Sequence, residues 1–241
     1  MRAAAFLRPA GEAPAPSRRR AIALLAGSLA ISYAPPRALA QEPWVALTDD
    51  GGAPIQNQRA PSTLDPFSLP GVLWLGPAAP DVTLFEFFDY NCTVCRRIVP
   101  EMEALVRTTP GLRLGLVHNP ILGPGSPPAA RIALSILRRA GSRAAYDYHV
   151  RLFAGRGEVT ETRALAVAAA LGHTRETLDA PDLRPDVERA LEAHTKLAHG
   201  LGFNITPSYV LQGVALFGHP GPKALGKMIA AAKACDALVC P

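Results

Sequence analysis

Two cysteines three residues apart, Cys92 and Cys95, are the residues of this sequence best suited to chemistry. They follow an apolar run and precede a helical pattern, so Cys92 is expected at a helix start, with Asn91 as its N-cap. The unpaired N–H groups and the dipole of a helix N-terminus stabilise a thiolate. Cys95 lies one turn later on the same face, a separation that a disulfide can close. The pattern favours a redox pair in which Cys92 is the exposed nucleophile and Cys95 the buried resolving thiol.

Two other kinds of site also use this spacing, namely zinc sites and structural bridges. The second cysteine pair, Cys235 and Cys240, has four intervening residues and lies far along the chain, and the histidines show no metal-binding spacing such as HExxH. Zinc ligation is therefore disfavoured, and no metal is expected.

The pair Cys235 and Cys240 ends the chain as "CDALVC". Five residues of continuous helix rotate by roughly 140°, so a bridge requires the helix to end before Cys240. We expect a structural disulfide that staples the C-terminus. A second redox relay, free thiols or pairing with another chain remain alternatives.

The elements around Cys92 follow from hydrophobic patterning. The segments "VLWLG" (72–76), "VTLFEFFD" (82–89) and "LRLGLV" (112–117) are predicted strands, and 92–107 is a predicted helix. Strand, helix and strand in this order form a βαβ unit with a right-handed crossover. The strand 82–89 is apolar on both faces, as expected for a strand that is covered on both sides.

The rest of the chain is mostly helical. Four helical segments between Gly123 and Gly202 each end in glycine, three of them typical of a helix C-cap. A hairpin at 208–218 and a closing helix from Lys223 follow, whereas 41–80 is rich in proline and glycine and predicts an extended lead-in.

Three segments together, "DVTLFEFFDYNCTVC", "NPILGPGS" and "ITPSYVLQG", resemble the DsbA-like thiol–disulfide oxidoreductases. The match runs from about Asp81 to Met228. The resemblance implies an α/β thioredoxin-like fold with an inserted all-α subdomain. The corresponding segments are an export signal (1–40), an extended lead-in (41–70), the first half of the core (71–122), the helical insertion (123–202) and the second half of the core (203–241).

The resemblance also implies roles for three further residues. Glu86 matches the buried acid beneath the active site, Pro207 the cis-proline facing the cysteines, and Thr206 the residue whose backbone pairs with an extended substrate. If Glu86 is buried, its pKa rises and it can exchange a proton with Cys95. A solvent-facing Glu86 on an edge strand and an ordinary trans Pro207 are the alternatives.

The dipeptide Thr93-Val94 departs from the family, whose members more often carry Gly-Tyr or Pro-His between the cysteines. No histidine stands there to stabilise the Cys92 thiolate, so a strongly oxidising potential is not implied. His118 follows a predicted strand, and we expect it at the surface or in a hydrogen bond, with a position facing the active site as the alternative.

The N-terminal 40 residues are typical of an export signal. "SRRR" (17–20) precedes a short apolar run (21–34), and "ALA" (38–40) supplies a small-residue cleavage site. An uncut anchor is the alternative. These residues hold six of the 25 basic residues and one of the 20 acidic ones, so the remaining chain is electrically balanced and has no footprint for nucleic acid. Four cysteines in an exported chain favour disulfides.

The sequence thus predicts a periplasmic enzyme that forms disulfides in unfolded or partly folded exported proteins, through Cys92 and Cys95. A membrane or periplasmic redox partner is expected, and no cofactor beyond the redox-active disulfide. Isomerase-type relatives usually carry an N-terminal dimerisation segment, which residues 41–80 do not resemble, so a monomer is favoured. A reductase or isomerase of the same fold and a non-catalytic exported binding domain with structural cysteines are the alternatives.

Overall fold

The computed structural model describes residues 44–241, and the predicted export signal (1–40) lies outside the described residues. A six-stranded mixed sheet forms the centre, in the order β1-β6-β5-β3-β4-β2. The strands are β1 (Asn57–Arg59), β2 (Leu73–Leu75), β3 (Val82–Phe88), β4 (Leu112–His118), β5 (Ser208–Leu211) and β6 (Val214–Phe217). The helices are α1 (Thr93–Thr108), α2 (Ser126–Ala154), α3 (Glu161–Ala170), α4 (Arg175–Leu178), α5 (Arg184–Gly200) and α6 (Pro222–Cys235).

The βαβ unit occupies the middle of the sheet. Strand β3 pairs in parallel with β4, so that Phe88 lies beside His118, and pairs antiparallel with β5 on its other side. Because β3 is central and covered on both faces, all but one of its residues are buried. Helix α1 therefore follows a strand that is buried almost throughout.

The two faces of the sheet carry separate apolar clusters. Leu84 and Tyr209 face one cluster together with residues of α1 and α6, whereas Phe85 and Phe87 face another together with the end of α5. The rings of Phe87 and Phe203 meet edge to face at a centroid distance of 4.9 Å. Burying one such side chain contributes about 1.5–3 kcal/mol, so these faces fix the orientation of β3.

The lead-in contains a short strand that was not predicted from the sequence. Asn57 belongs to β1, which pairs with β6 and covers an edge that would otherwise expose unpaired backbone groups. The buried Asn57 side chain also exchanges two hydrogen bonds with the backbone of Val45, at 2.8 and 2.9 Å. The pairing of β1 with β6 joins segments far apart in the chain, which local patterning does not reveal.

The predicted helical block is present between β4 and β5. Its first two predicted segments form one element, α2, with a kink at Gly141, whose φ of 83° interrupts the helical conformation. Thr160 caps α3 by accepting a hydrogen bond from the Arg163 N–H. A thioredoxin-like core with inserted helices, the fold class expected from the sequence, is confirmed.

The C-terminus is closed by a disulfide between Cys235 and Cys240, whose Cα atoms are 5.9 Å apart. Helix α6 ends at Cys235, and Asp236 adopts the left-handed conformation with φ 54°. The chain can then turn back and bury Leu238 against the core. Within 44–241, no helix has both the length and the apolar character needed to cross a bilayer.

Candidate active site

Cys92 is itself the N-cap residue of α1. Its backbone is extended (φ −76°, ψ 118°), and its sulfur accepts a hydrogen bond from the Cys95 N–H at 3.0 Å. The Cys92 N–H donates in turn to the Asp89 carbonyl oxygen at 3.0 Å. The expectation that Asn91 caps this helix was therefore wrong by one residue, and the reactive sulfur occupies the capping position directly.

Both cysteines are free thiols and are largely covered, with 3% of Cys92 and 1% of Cys95 exposed. The expected contrast between an exposed and a buried cysteine is thus smaller than predicted. The Cys92 sulfur lies 3.3 Å from the carbonyl oxygen of Thr206, and the Thr206–Pro207 peptide bond is cis. The structure therefore brings Thr206 and Pro207 against the cysteine pair.

The two thiols differ strongly in acidity. Hydrogen bonding with the Cys95 side chain lowers the pKa of Cys92 to about 6, and Thr206 and the N–H groups of Val94 and Cys95 act in the same direction, against partial burial. Burial, followed by the hydrogen bond to Cys92 and the charge of Glu86, raises the pKa of Cys95 far above its usual range. In the reduced pair the thiolate therefore resides on Cys92.

Glu86 lies on central strand β3 and is 4% exposed, which rules out the alternative of a solvent-facing carboxyl on an edge strand. Burial, followed by the negative charge of Cys92, raises the pKa of Glu86 to about 8. Because its charge also raises the pKa of Cys95, this carboxyl is electrostatically coupled to both cysteines. Glu86 can therefore hold a proton near neutral pH inside the protein.

The carboxylate of Asp89, a residue that the sequence analysis did not single out, organises the loops around the site. It is buried and accepts four hydrogen bonds: from the N–H groups of Asn91 (2.7 Å), Ile121 (2.7 Å) and Leu122 (2.8 Å) and from the Ser126 hydroxyl (2.6 Å). In the sequence, the only indication of a role for Asp89 is its position as a charged residue at the end of an apolar strand. Its partners on the 121–126 segment become apparent only in the folded chain.

Asn91 joins the same turn to the helical insertion. Its side chain accepts from the Val159 N–H at 2.7 Å, donates to the Val159 carbonyl oxygen at 3.0 Å, and donates to the Ser126 hydroxyl at 3.0 Å. Asn91 therefore holds the insertion against the active-site turn instead of capping α1.

His118 is buried at the end of β4, so the expected surface position was wrong. Its ring packs against Phe88 at 4.9 Å and stacks on His194 at 5.8 Å, and its backbone N–H donates to His194 Nδ1. Burial, followed by the neighbouring histidines, lowers the pKa of His118 well below its usual range. It contributes a neutral ring to the core. Within residues 44–241, no three histidine, cysteine, aspartate or glutamate side chains are arranged to hold a metal ion.

The fold and the Cys92–Cys95 geometry define a thioredoxin-fold thiol–disulfide oxidoreductase. The thioredoxin family model matches residues 68–231, about two thirds of the chain. The chain therefore belongs to the thioredoxin family, and the inserted helices give it the DsbA-like form of that fold. No curated protein matches the chain significantly.

Solved structures agree with this assignment. A thioredoxin-like oxidoreductase from Silicibacter pomeroyi DSS-3 superimposes with a TM-score of 0.64 at 36% identity, covering 70% of this chain and 96% of that one. A periplasmic thioredoxin-like protein from Salmonella enterica serovar Typhimurium gives 0.64 at 23% identity, covering 73% and 99%. The thiol-disulfide exchange protein alpha-DsbA2 from Wolbachia pipientis gives 0.61 at 21% identity, covering 68% and 87%. At 23% and 21% identity, the latter two structures show only that they share the fold of this chain.

Proposed function

We propose that this protein is an exported oxidase that forms disulfides in unfolded or partly folded exported proteins. The observation that carries the proposal is the contrast between the two thiols: Cys92 is a stabilised thiolate, and Cys95 is buried and protonated. The Cys92 sulfur also lies beside the Thr206 carbonyl. A thiol of low pKa is a good leaving group, and stabilising the reduced pair makes the corresponding disulfide more oxidising.

The exchange proceeds in two steps. A substrate thiolate attacks the Cys92 sulfur of the oxidised pair, the Cys92–Cys95 bond breaks, and Cys95 leaves as a thiolate that takes up a proton. A second substrate thiolate then attacks the substrate sulfur of the mixed disulfide, and Cys92 leaves as a thiolate. The substrate gains one disulfide and loses two electrons, which the cysteine pair receives.

Glu86 is the proposed proton donor to Cys95. A carboxyl with a pKa near 8 is largely protonated at neutral pH, and its charge influences Cys95 directly. Proton transfer by a group of such pKa is most effective near that pH. When the pair is reoxidised, the proton returns from Cys95 to Glu86.

The surroundings of Cys92 suit an unfolded polypeptide. The carbonyl of Thr206, next to Pro207, offers a backbone hydrogen bond to an extended chain. The apolar side chains of Ile121, Leu122 and Ile205 are exposed. The first two lie on the segment that is hydrogen-bonded to Asp89, and Ile205 directly precedes Thr206. A chain with exposed apolar residues would bury them there.

The proposed location is the periplasm, since residues 1–40 have the pattern of an export signal and the Salmonella neighbour is described as periplasmic. We propose that the protein acts as a monomer without a further cofactor. A membrane or periplasmic redox partner, itself carrying a disulfide or another two-electron acceptor, would reoxidise the pair.

Two measurements test the direction of electron flow: the reduction potential of Cys92–Cys95 and the oxidative refolding of a reduced, unfolded protein. We expect a potential between about −180 and −120 mV, the range of strong thiol oxidants, together with refolding activity that Cys92→Ser abolishes. A potential near −270 mV without oxidase activity would favour a reductase. A Cys92 thiol that stays inert towards alkylation would favour the non-catalytic binding domain.

A further inference from the structure

Three hydrogen-bonded side chains lead from the interior of the protein to its surface. The Tyr209 hydroxyl and His219 Nδ1 are 2.8 Å apart, and His219 Nε2 and Glu101 Oε2 are 3.3 Å apart. Tyr209 is fully buried, whereas the His219 side chain is 11% and the Glu101 side chain 37% exposed. The chain of bonds therefore ends at a carboxylate in contact with water.

The inner end of this chain adjoins the proposed proton donor. Tyr209 on β5 is the direct antiparallel partner of Glu86 on β3. Directly paired residues project from the same face of a sheet, with Cβ atoms about 4.5–5.5 Å apart. Burial, followed by the charges of Glu86 and Cys95, raises the pKa of Tyr209 well above its usual range, so its hydroxyl stays protonated.

The proposed reaction needs such a route. Glu86 and Cys95 are 4% and 1% exposed, yet each half-cycle delivers one proton to Cys95 or removes it. A carboxyl that gives its proton to Cys95 regains its protonated state only by taking a proton from solvent. It must release that proton again before it can accept the one that Cys95 gives up when the pair is reoxidised. We propose that Tyr209, His219 and Glu101 form the path by which Glu86 exchanges its proton with water, an inference that rests on the proposed role of Glu86.

The transfer balances at each atom. Tyr209 passes its hydroxyl proton to the Glu86 carboxylate and receives the Nδ1 proton of His219. The Glu101 carboxylate takes a proton from water and passes it to His219 Nε2, so one proton has entered and each residue of the path keeps its original charge. The reverse sequence carries a proton out when the pair is reoxidised.

The surroundings of His219 suit a neutral relay. The charged groups that act on it are Glu101 and Arg97 of α1 and Asp50 of the lead-in, besides the hydroxyl of Tyr209. Burial lowers the pKa of His219 in spite of the opposing effect of Glu101. A neutral imidazole has one N–H donor and one acceptor nitrogen, as a relay in either direction requires.

The test is a single-turnover reaction of the oxidised full-length protein with a reduced cysteine peptide, followed in stopped flow at about pH 9. At this pH Glu86, whose pKa is about 8, has lost its proton, so the proton for Cys95 must come from solvent. We expect Tyr209→Phe and His219→Ala to slow the release of Cys95 by about tenfold, less than the hundredfold or more that a direct general acid supplies. His199→Ala, which removes an exposed histidine at the end of α5, is the matched control and should retain the original rate.

Added imidazole should restore the rate of His219→Ala but not that of Tyr209→Phe. The reduction potential of both variants should stay unchanged, because a proton path alters rates and not equilibria. Such a pattern is not expected from loss of packing alone. Wild-type rates in both variants, or slow rates that imidazole does not rescue together with a shifted potential, would overturn the relay. Loss of the proposed function would show differently, as exchange that persists in Cys92→Ser.

Discussion

The Cys92 sulfur lies 3.3 Å from the carbonyl oxygen of Thr206, although 114 positions separate the two residues in the chain. Cys92 begins the helix after β3, and Thr206 precedes β5, the antiparallel neighbour of β3. The adjacency of these two strands thus places the Cys92 sulfur beside a backbone carbonyl. A substrate that docks on Thr206 would have its own cysteine next to the Cys92 sulfur.

The first prediction concerns the acidity of Cys92. Since the pKa of Cys92 is lowered to about 6, the rate of alkylation of the reduced protein by iodoacetamide should rise with pH and reach half its maximum near pH 6. Mass spectrometry would assign the modified residue as Cys92. The lowered pKa also stabilises the reduced protein above about pH 9, and this stabilisation is lost as the pH falls through 6. A midpoint near 8.5, as in a free cysteine, would contradict the site described here.

The second prediction concerns Glu86→Gln. Because burial raises the pKa of Glu86 from 4.5 to about 8, the folded protein holds a proton that the unfolded chain releases between these values. The wild type should therefore lose stability relative to the variant as the pH rises from 4.5 to 8, by roughly 3–5 kcal/mol in total at about 1.4 kcal/mol per pKa unit. Urea unfolding of both reduced proteins at several pH values measures this difference. A constant difference across the range would show that Glu86 titrates normally.

The third prediction concerns Asp89→Ala. Removing the carboxylate leaves the partly buried N–H groups of Ile121 and Leu122 without their acceptor, and each such loss costs about 1–2 kcal/mol. We expect a destabilisation of about 3 kcal/mol and a raised KM for peptide substrates, because the exposed side chains of residues 121 and 122 lose their fixed position. Ser126→Ala is the matched control.

That control removes one partner and leaves the carboxylate bonded to the three backbone groups. It should therefore cost only about 1 kcal/mol and preserve KM. Equal effects of the two substitutions on KM would argue against a positioning role for Asp89.

The fourth prediction separates the two cysteine pairs. Replacing both Cys235 and Cys240 by alanine opens a short loop whose closure is worth about 2 kcal/mol in the chain-entropy model. Unfolding under oxidising conditions should show this loss, while the exchange rate of Cys92–Cys95 should be unchanged. A rate that falls along with stability would instead support a redox relay between the pairs, one of the alternatives that the sequence left open.

Much of the site follows from local sequence. The Cys92–Cys95 spacing, the apolar strand before it and the helical periodicity after it are short-range properties, and they place the pair at a helix start. Burial of Glu86 was also accessible, because a strand that is apolar on both faces is expected to be covered on both sides. Cys92 replaced Asn91 as the cap because Asn91 has partners on the insertion, which local preferences do not include.

The sequence by itself placed the cysteine pair at a helix start and predicted the succession of strands and helices, because these depend on periodicity and spacing along a few turns of chain. The resemblance to a known family added Glu86 as the acid beneath the pair. The tertiary structure alone decided which groups meet the Asp89 carboxylate, which backbone carbonyl faces Cys92, and that Tyr209, His219 and Glu101 bond in series. Each of these contacts joins segments that are distant in the chain. Their meeting depends on strand order and helix packing, which no local pattern specifies.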